Sequence, residues 1–151
     1  MEPSCSIVTT ERQLTAVVKA QVPFVRVPEA QRLAREKVDA VLRSLDVGPL
    51  GRACTRFRTP GDGTLAMEMG AIVARRFEPR DEVVLSELPA GRAAHFLLKG
   101  SFQGLPGAWQ TLFDWCRAEK LDLAGINWEI YSPWQDVEPA KLETHLYAKL
   151  A

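Results

Sequence analysis

Two kinds of hydrophobic period alternate along this chain. Short stretches bounded by turn signals, the second favoured by Val17 and Val18, predict strands at Ser6 to Thr10, Leu14 to Gln21, Arg52 to Arg58 and Thr64 to Ala74. Four more follow at Val83 to Leu88, Arg92 to Leu98, Gly125 to Tyr131 and Leu142 to Leu150. In the last of these Leu142, Thr144, Leu146 and Ala148 alternate with Glu143, His145, Tyr147 and Lys149, one face apolar and one polar. Two stretches switch to the helical period. Leu33, Ala34, Val38, Val41, Leu42 and Leu45 predict a helix from Pro28 to Leu45, with Arg35, Glu36, Asp39 and Arg43 on its solvated side and Gly48-Pro49 ending it. Leu105, Ala108, Trp109, Leu112, Phe113 and Cys116 predict a second helix, opened by Pro106 and ending near Lys120. Thr59-Pro60-Gly61-Asp62-Gly63 is a turn that predicts a hairpin, and Gly70 inside the following strand implies a bulge or a close backbone approach.

The order strand, helix, strand, turn, strand occurs twice. Pro28 and Pro106 open their helices at an offset of 78 (106 − 28), and Phe24 and Phe102 precede them at the same offset. Gly48 and Gly125 match at 77, and Glu68 and Glu143 at 75. These matches predict a duplicated β-α-β-β unit, repeat 1 at about 5–76 and repeat 2 at about 83–151, within a single domain spanning 1–151. The expected fold class is α+β: an antiparallel sheet, two helices on one face, pseudo-two-fold symmetry, and a ligand groove between the halves or on the open face. Arg75 to Glu82 reads as a solvated charged connection.

Composition narrows the function classes. Nineteen acidic and nineteen basic side chains give no net charge, which disfavours a general nucleic-acid or polybasic membrane surface. Cys5, Cys54 and Cys116 form no ligand-spaced cluster, and Cys116 reads as a small core hydrophobe. No metal site, cofactor or membrane span is expected, and a reducing cytoplasm is the default compartment.

The chemistry concentrates at Trp128-Glu129-Ile130-Tyr131, with Trp134 just beyond. Alternation puts Glu129 and Tyr131 on one face and Trp128 and Ile130 on the other. Glu129 is then either an exposed carboxylate on a solvated face or the acid of an aromatic pocket suited to a cation or a polar aromatic ligand. Trp109 is likewise a core residue or a pocket wall.

Several segments resemble a known family. Leu88-Pro89-Ala90-Gly91-Arg92, Lys99-Gly100-Ser101-Phe102, Gly104-Leu105, Trp109, Leu112 and Trp115, then Trp128-Glu129-Ile130-Tyr131, are similar to the GyrI-like small-molecule-binding domain of the SOUL superfamily. Met67 to Val73 resembles the equivalent strand of the first half. This domain is also the effector-binding module of AraC- and MerR-type regulators. The resemblance implies a hydrophobic or cationic drug-like ligand bound around an acid, matched here by Glu129. Tyr131, Phe102 and Trp134 fall in segments that resemble its pocket rim, and Trp109, Met67 and Phe57 complete the expected ligand-binding residues. His145 departs from the pattern, standing where the closing strand usually carries an acid.

The expected role is a standalone binding protein in xenobiotic sensing, sequestration or resistance, without direct DNA binding because no helix-turn-helix fits before the first repeat. The alternative is a hydrolase of cyclopropane-bearing electrophiles, with Glu129 as base and Tyr131 as donor. Third comes a protein-interaction role such as gyrase inhibition, and haem binding through His95 or His145 is weaker still.

Overall fold

The computed structural model describes residues 4–45, 50–134 and 136–151. Its elements run β1 (Cys5–Thr10), β2 (Gln13–Pro23), α1 (Val27–Leu42), β3 (Leu50–Arg58), β4 (Thr64–Val73), β5 (Val83–Leu88), β6 (Gly91–Lys99), α2 (Leu105–Ala118), β7 (Leu123–Tyr131) and β8 (Glu143–Leu150). A short 3-10 turn leads into each helix, at Phe24–Arg26 and at Phe102–Gly104. The predicted elements all form, with ends shifted by a few residues. The first helix stops at Leu42 rather than Leu45, and the Gly48-Pro49 stop signal lies outside the described residues, while its sequence match Gly125 falls within β7.

All eight strands form one antiparallel sheet in the order β1-β6-β8-β7-β3-β4-β2-β5. The duplication is visible in its layout. β2-α1-β3-β4 and β6-α2-β7-β8 are the two units, and β3 pairs with β7 at the centre. Each edge strand belongs by sequence to one unit and by pairing to the other: β1 lies on β6, and β5 lies on β2. β1, β2 and α1 recur as β5, β6 and α2 with starts offset by 78 (83 − 5, 91 − 13, 105 − 27). One sequence match needs correcting. Val18 pairs with Met69 and Phe96 with Leu146, so with Val18 and Phe96 matched at 78, Met69 corresponds to Leu146. Glu68 therefore corresponds to His145 rather than to Glu143.

Both helices cover the same face. α1 packs Ala34, Val38, Val41 and Leu42 on Ala16, Val18, Met67 and Met69. α2 packs Ala108, Leu112 and Cys116 on Ala94, Phe96, Leu146 and Ala148. The register carries that face across the middle of the sheet through Met69, Thr55, Glu129 and Leu146. Leu33 is an exception to the predicted stripe: it is 42 % exposed, at the margin of α1.

The opposite face is not an open ligand platform. Cys54, Leu88, Ala93 and Trp128 form a buried cluster there, although Leu88 lies on the edge strand β5. Arg56 on β3 donates to the Glu87 carbonyl on β5 at 2.7 Å. Three strand spacings separate these strands, about 14 Å in a flat sheet, beyond the reach of an arginine. The sheet therefore curls over this face and closes its centre. The helix face, along the line between α1 and α2, leaves room for a site, as does the β3–β4 hairpin end of the opposite face, where Arg56 and Glu68 border a cavity.

Gly70 fulfils the close-approach alternative. β2 and β4 pair without interruption through it, and a Cβ there would stand 1.8 Å from the Ala16 carbonyl oxygen. The register irregularities fall instead between Leu50 and Ala53 in β3 and between Leu123 and Asn127 in β7.

Candidate functional site

Glu129 and Thr55 are register partners in the central strand pair, between the two helices. The predicted alternation holds: Glu129 and Tyr131 face the helices, while Trp128 lies in the cluster on the other side. Glu129 is only 6 % exposed, so the exposed-carboxylate alternative is excluded. A buried carboxylate needs donors, and two are supplied. The Trp109 indole N–H donates to Oε2 at 2.6 Å, and the Tyr131 hydroxyl donates to Oε1 at 2.5 Å. Tyr131 has one proton to give, so the 2.8 Å contact between its oxygen and Thr55 Oγ1 is a bond donated by Thr55. A relay thus runs Thr55 to Tyr131 to Glu129.

Two groups of rings meet at this carboxylate. On the α2 side Trp109 stacks on Phe113 at 5.3 Å and receives Phe57 edge-on at 5.0 Å. On the other side Tyr131 makes edge contacts with Phe102 at 5.8 Å and with Trp134 at 6.4 Å. The Tyr131 and Trp134 planes are 89° apart and form a corner. Arg35 of α1 fills it, its guanidinium carbon 5.3 Å from the Tyr131 ring centre and 4.8 Å from that of Trp134. Both distances lie within cation–π range.

Burial raises the Glu129 carboxyl above its ordinary value, while the Trp109 and Tyr131 hydrogen bonds and the charge of Arg35 oppose that rise. Burial also pushes the Tyr131 phenol well up, with the neighbouring Glu129 adding to it. The site is therefore a desolvated acid with one nearby cation, arranged so that either protonation state of Glu129 has partners.

Three cavities border these residues. One of about 440 Å³ is lined by Tyr131, Pro133, Trp134, Asp39, Ala53 and Ala71 among others. A second, about 320 Å³, touches Arg35, Asp39 and the same Trp134. A third, about 460 Å³, lies by the β3–β4 hairpin and holds Phe57, Met67, Arg56 and Glu68. The seven predicted pocket residues do not share one cavity. Met67 is 2 % exposed, packed beneath α1, and reaches only the third, because its strand places it opposite Phe57 rather than opposite Tyr131. Glu129, Phe102 and Trp109 line none of the three; they form the wall behind Tyr131.

Trp109 is half-buried against the core of α2, as its core alternative expects, and its indole N–H is bonded to the acid. His145 faces away from Glu129: it pairs with Ile130 in the register, and its ring nitrogen lies 2.8 Å from that of His95. Its departure from the family pattern therefore falls on the face of the sheet opposite Glu129. Arg35 and Thr55 were not among the predicted residues. A lone arginine flanking an apolar helical stripe reads as solvated, and the one hint was its position next to Ala34 and three residues before Val38. Among the described residues no helix is long and apolar enough to cross a membrane.

Comparison with known folds agrees with this architecture. The chain superposes on the C-terminal domain of EcmrR with a TM-score of 0.80 at 15 % identity, covering 100 % of this chain and 99 % of that one. It matches SAV2435, solved bound to tetraphenylphosphonium, with a TM-score of 0.74 at 14 % identity over 100 % and 94 % of the two chains. A hydrolase encoded by lin2189 from Listeria innocua gives 0.62 at 10 % identity over 97 % and 91 %. No curated protein matches at the sequence level. At such identities these likenesses show the fold alone. Residues 3–151 match the GyrI-like small molecule binding domain, so the chain belongs to that family.

Proposed function

We propose that this domain binds lipophilic cations, with Glu129 as the charge that selects them and the Tyr131–Trp134 corner as the surface that receives them. The observation carrying this reading is the buried Glu129 carboxylate behind two perpendicular rings that already hold a cation, the Arg35 guanidinium. SAV2435, which shares the fold, was solved with tetraphenylphosphonium bound. A xenobiotic-sensing or sequestering role follows from such a specificity. Hydrolysis at the same carboxylate is the less favoured reading. Both carboxylate oxygens already hold a donor, so a water activated by Glu129 would have to share or displace Trp109 or Tyr131.

The reading is tested by titrating the protein with tetraphenylphosphonium and following tryptophan fluorescence from pH 4 to pH 9. Saturable quenching is expected, with affinity rising with pH. The sign follows from Glu129: its carboxyl is raised in the folded protein, so the neutral form persists above the ordinary carboxylate range, and a cation gains its counter-charge only as the proton leaves. The free protein should show the opposite trend from this group, losing the Glu129 contribution to stability as pH climbs through the raised pKa. Trp109, Tyr131 and Arg35 are the groups that set where this window falls. Binding independent of pH across the whole range would count against an ionised Glu129 as the selecting charge.

A further inference from the structure

We propose that Arg35 is a tethered stand-in for the ligand: its guanidinium holds the cation position over Tyr131 and Trp134, and a cation enters only as Arg35 leaves. The inference rests on the cation-binding reading above and adds a regulator to that site. Among the described residues Arg35 has no ion-pair or hydrogen-bond partner. What places it is the pair of rings at 5.3 and 4.8 Å and the field of Glu129. A guanidinium and a lipophilic cation compete for the same two faces and the same counter-charge, so both cannot occupy the corner.

The structure also supplies a place for the displaced side chain. Two cavities border Trp134, and Asp39 borders both. Asp39 stands one helical turn beyond Arg35, the spacing at which an arginine and a carboxylate pair on a helix surface. The exchange of partners, from rings to Asp39, costs the protein little. Arg35 on its rings lowers apparent affinity for any cation too weak to evict it, and compensates the buried acid until a ligand takes its place.

The test compares wild type, Arg35→Met and Arg35→Lys for binding of tetraphenylphosphonium and of neutral triphenylmethanol at pH 8. Removal of the competing charge in Arg35→Met is expected to tighten the phosphonium about tenfold. The neutral compound should change much less, and Arg35→Lys, which keeps charge and length, should stay near wild type. Binding by Arg35→Met alone would support the proposal equally. Phosphonium affinity unchanged or weakened in a folded Arg35→Met protein overturns the tethered competitor and leaves cation binding standing. An equal gain for both compounds overturns it too, since space rather than charge would then be limiting. Failure of every variant to bind the phosphonium overturns the cation-binding reading, and the proposal with it.

Discussion

Glu129→Gln should fold as wild type does and lose cation binding by tenfold or more, a loss of at least about 1.4 kcal/mol. The substitution is close to isosteric, and the hydrogen-bond chain can accept it by reversal. Trp109 would donate to the new carbonyl oxygen, the new amide would donate to Tyr131, and Tyr131 would turn its proton to Thr55, at present 2.8 Å away. Every polar group of this hydrogen-bond chain keeps a partner, so stability at neutral pH should move by no more than about 1 kcal/mol. What disappears is the charge. If Glu129→Gln bound the phosphonium as tightly as wild type, the selecting role of the acid would be wrong, whatever the rings contribute. A variant that failed to fold would instead show that the relay cannot reverse.

Gly70→Ala is expected to damage the fold itself. The added Cβ would meet the Ala16 carbonyl oxygen at 1.8 Å and the Val17 Cα at 2.9 Å. Both are backbone atoms in the neighbouring strand, so no side chain can turn aside, and β2 and β4 would have to part. They form the floor under α1. Overpacking of side chains costs about 1–3 kcal/mol, and a clash with backbone should reach the top of that range. For a domain of this size about 3 kcal/mol corresponds to a Tm lower by roughly 10 °C. Thermal unfolding followed by circular dichroism checks this. A Tm within about 2 °C of wild type would mean that the strands separate more easily than their pairing suggests.

Much of this architecture was legible because it is periodic. The two helices followed from their 3.6 period, the last two strands from alternation, and the other strands from β-favouring runs between turn signals. The prolines at Pro28 and Pro106 fixed the repeat at 78, the offset found for the starts of β1, β2 and α1. Alternation alone placed Glu129 and Tyr131 on the same face. It could not say what covers that face, because the neighbours of Glu129 come from β3, α2 and, through its charge, α1, all distant in sequence. Trp109 reaches it by one indole N–H, and nothing in the stripe of α2 distinguishes a tryptophan that bonds an acid from one that only packs. Arg35 was hidden for a similar reason. Charged residues flanking an apolar stripe are ordinarily solvated, and its role depends on Trp134 lying 99 residues away (134 − 35). The curl of the sheet also escaped a local reading, since strand periodicity carries no record of curvature. That curl is what fills the centre of the open face with Cys54, Leu88, Ala93 and Trp128.

The most direct test of cation binding at Glu129 is a crystal structure of the protein with tetraphenylphosphonium bound. The phosphonium should lie within about 6 Å of the Tyr131 and Trp134 ring centres, with Arg35 withdrawn from both. A phosphonium seated instead in the cavity by the β3–β4 hairpin, beside Glu68 and Arg56, with Arg35 still on its rings, would contradict the account.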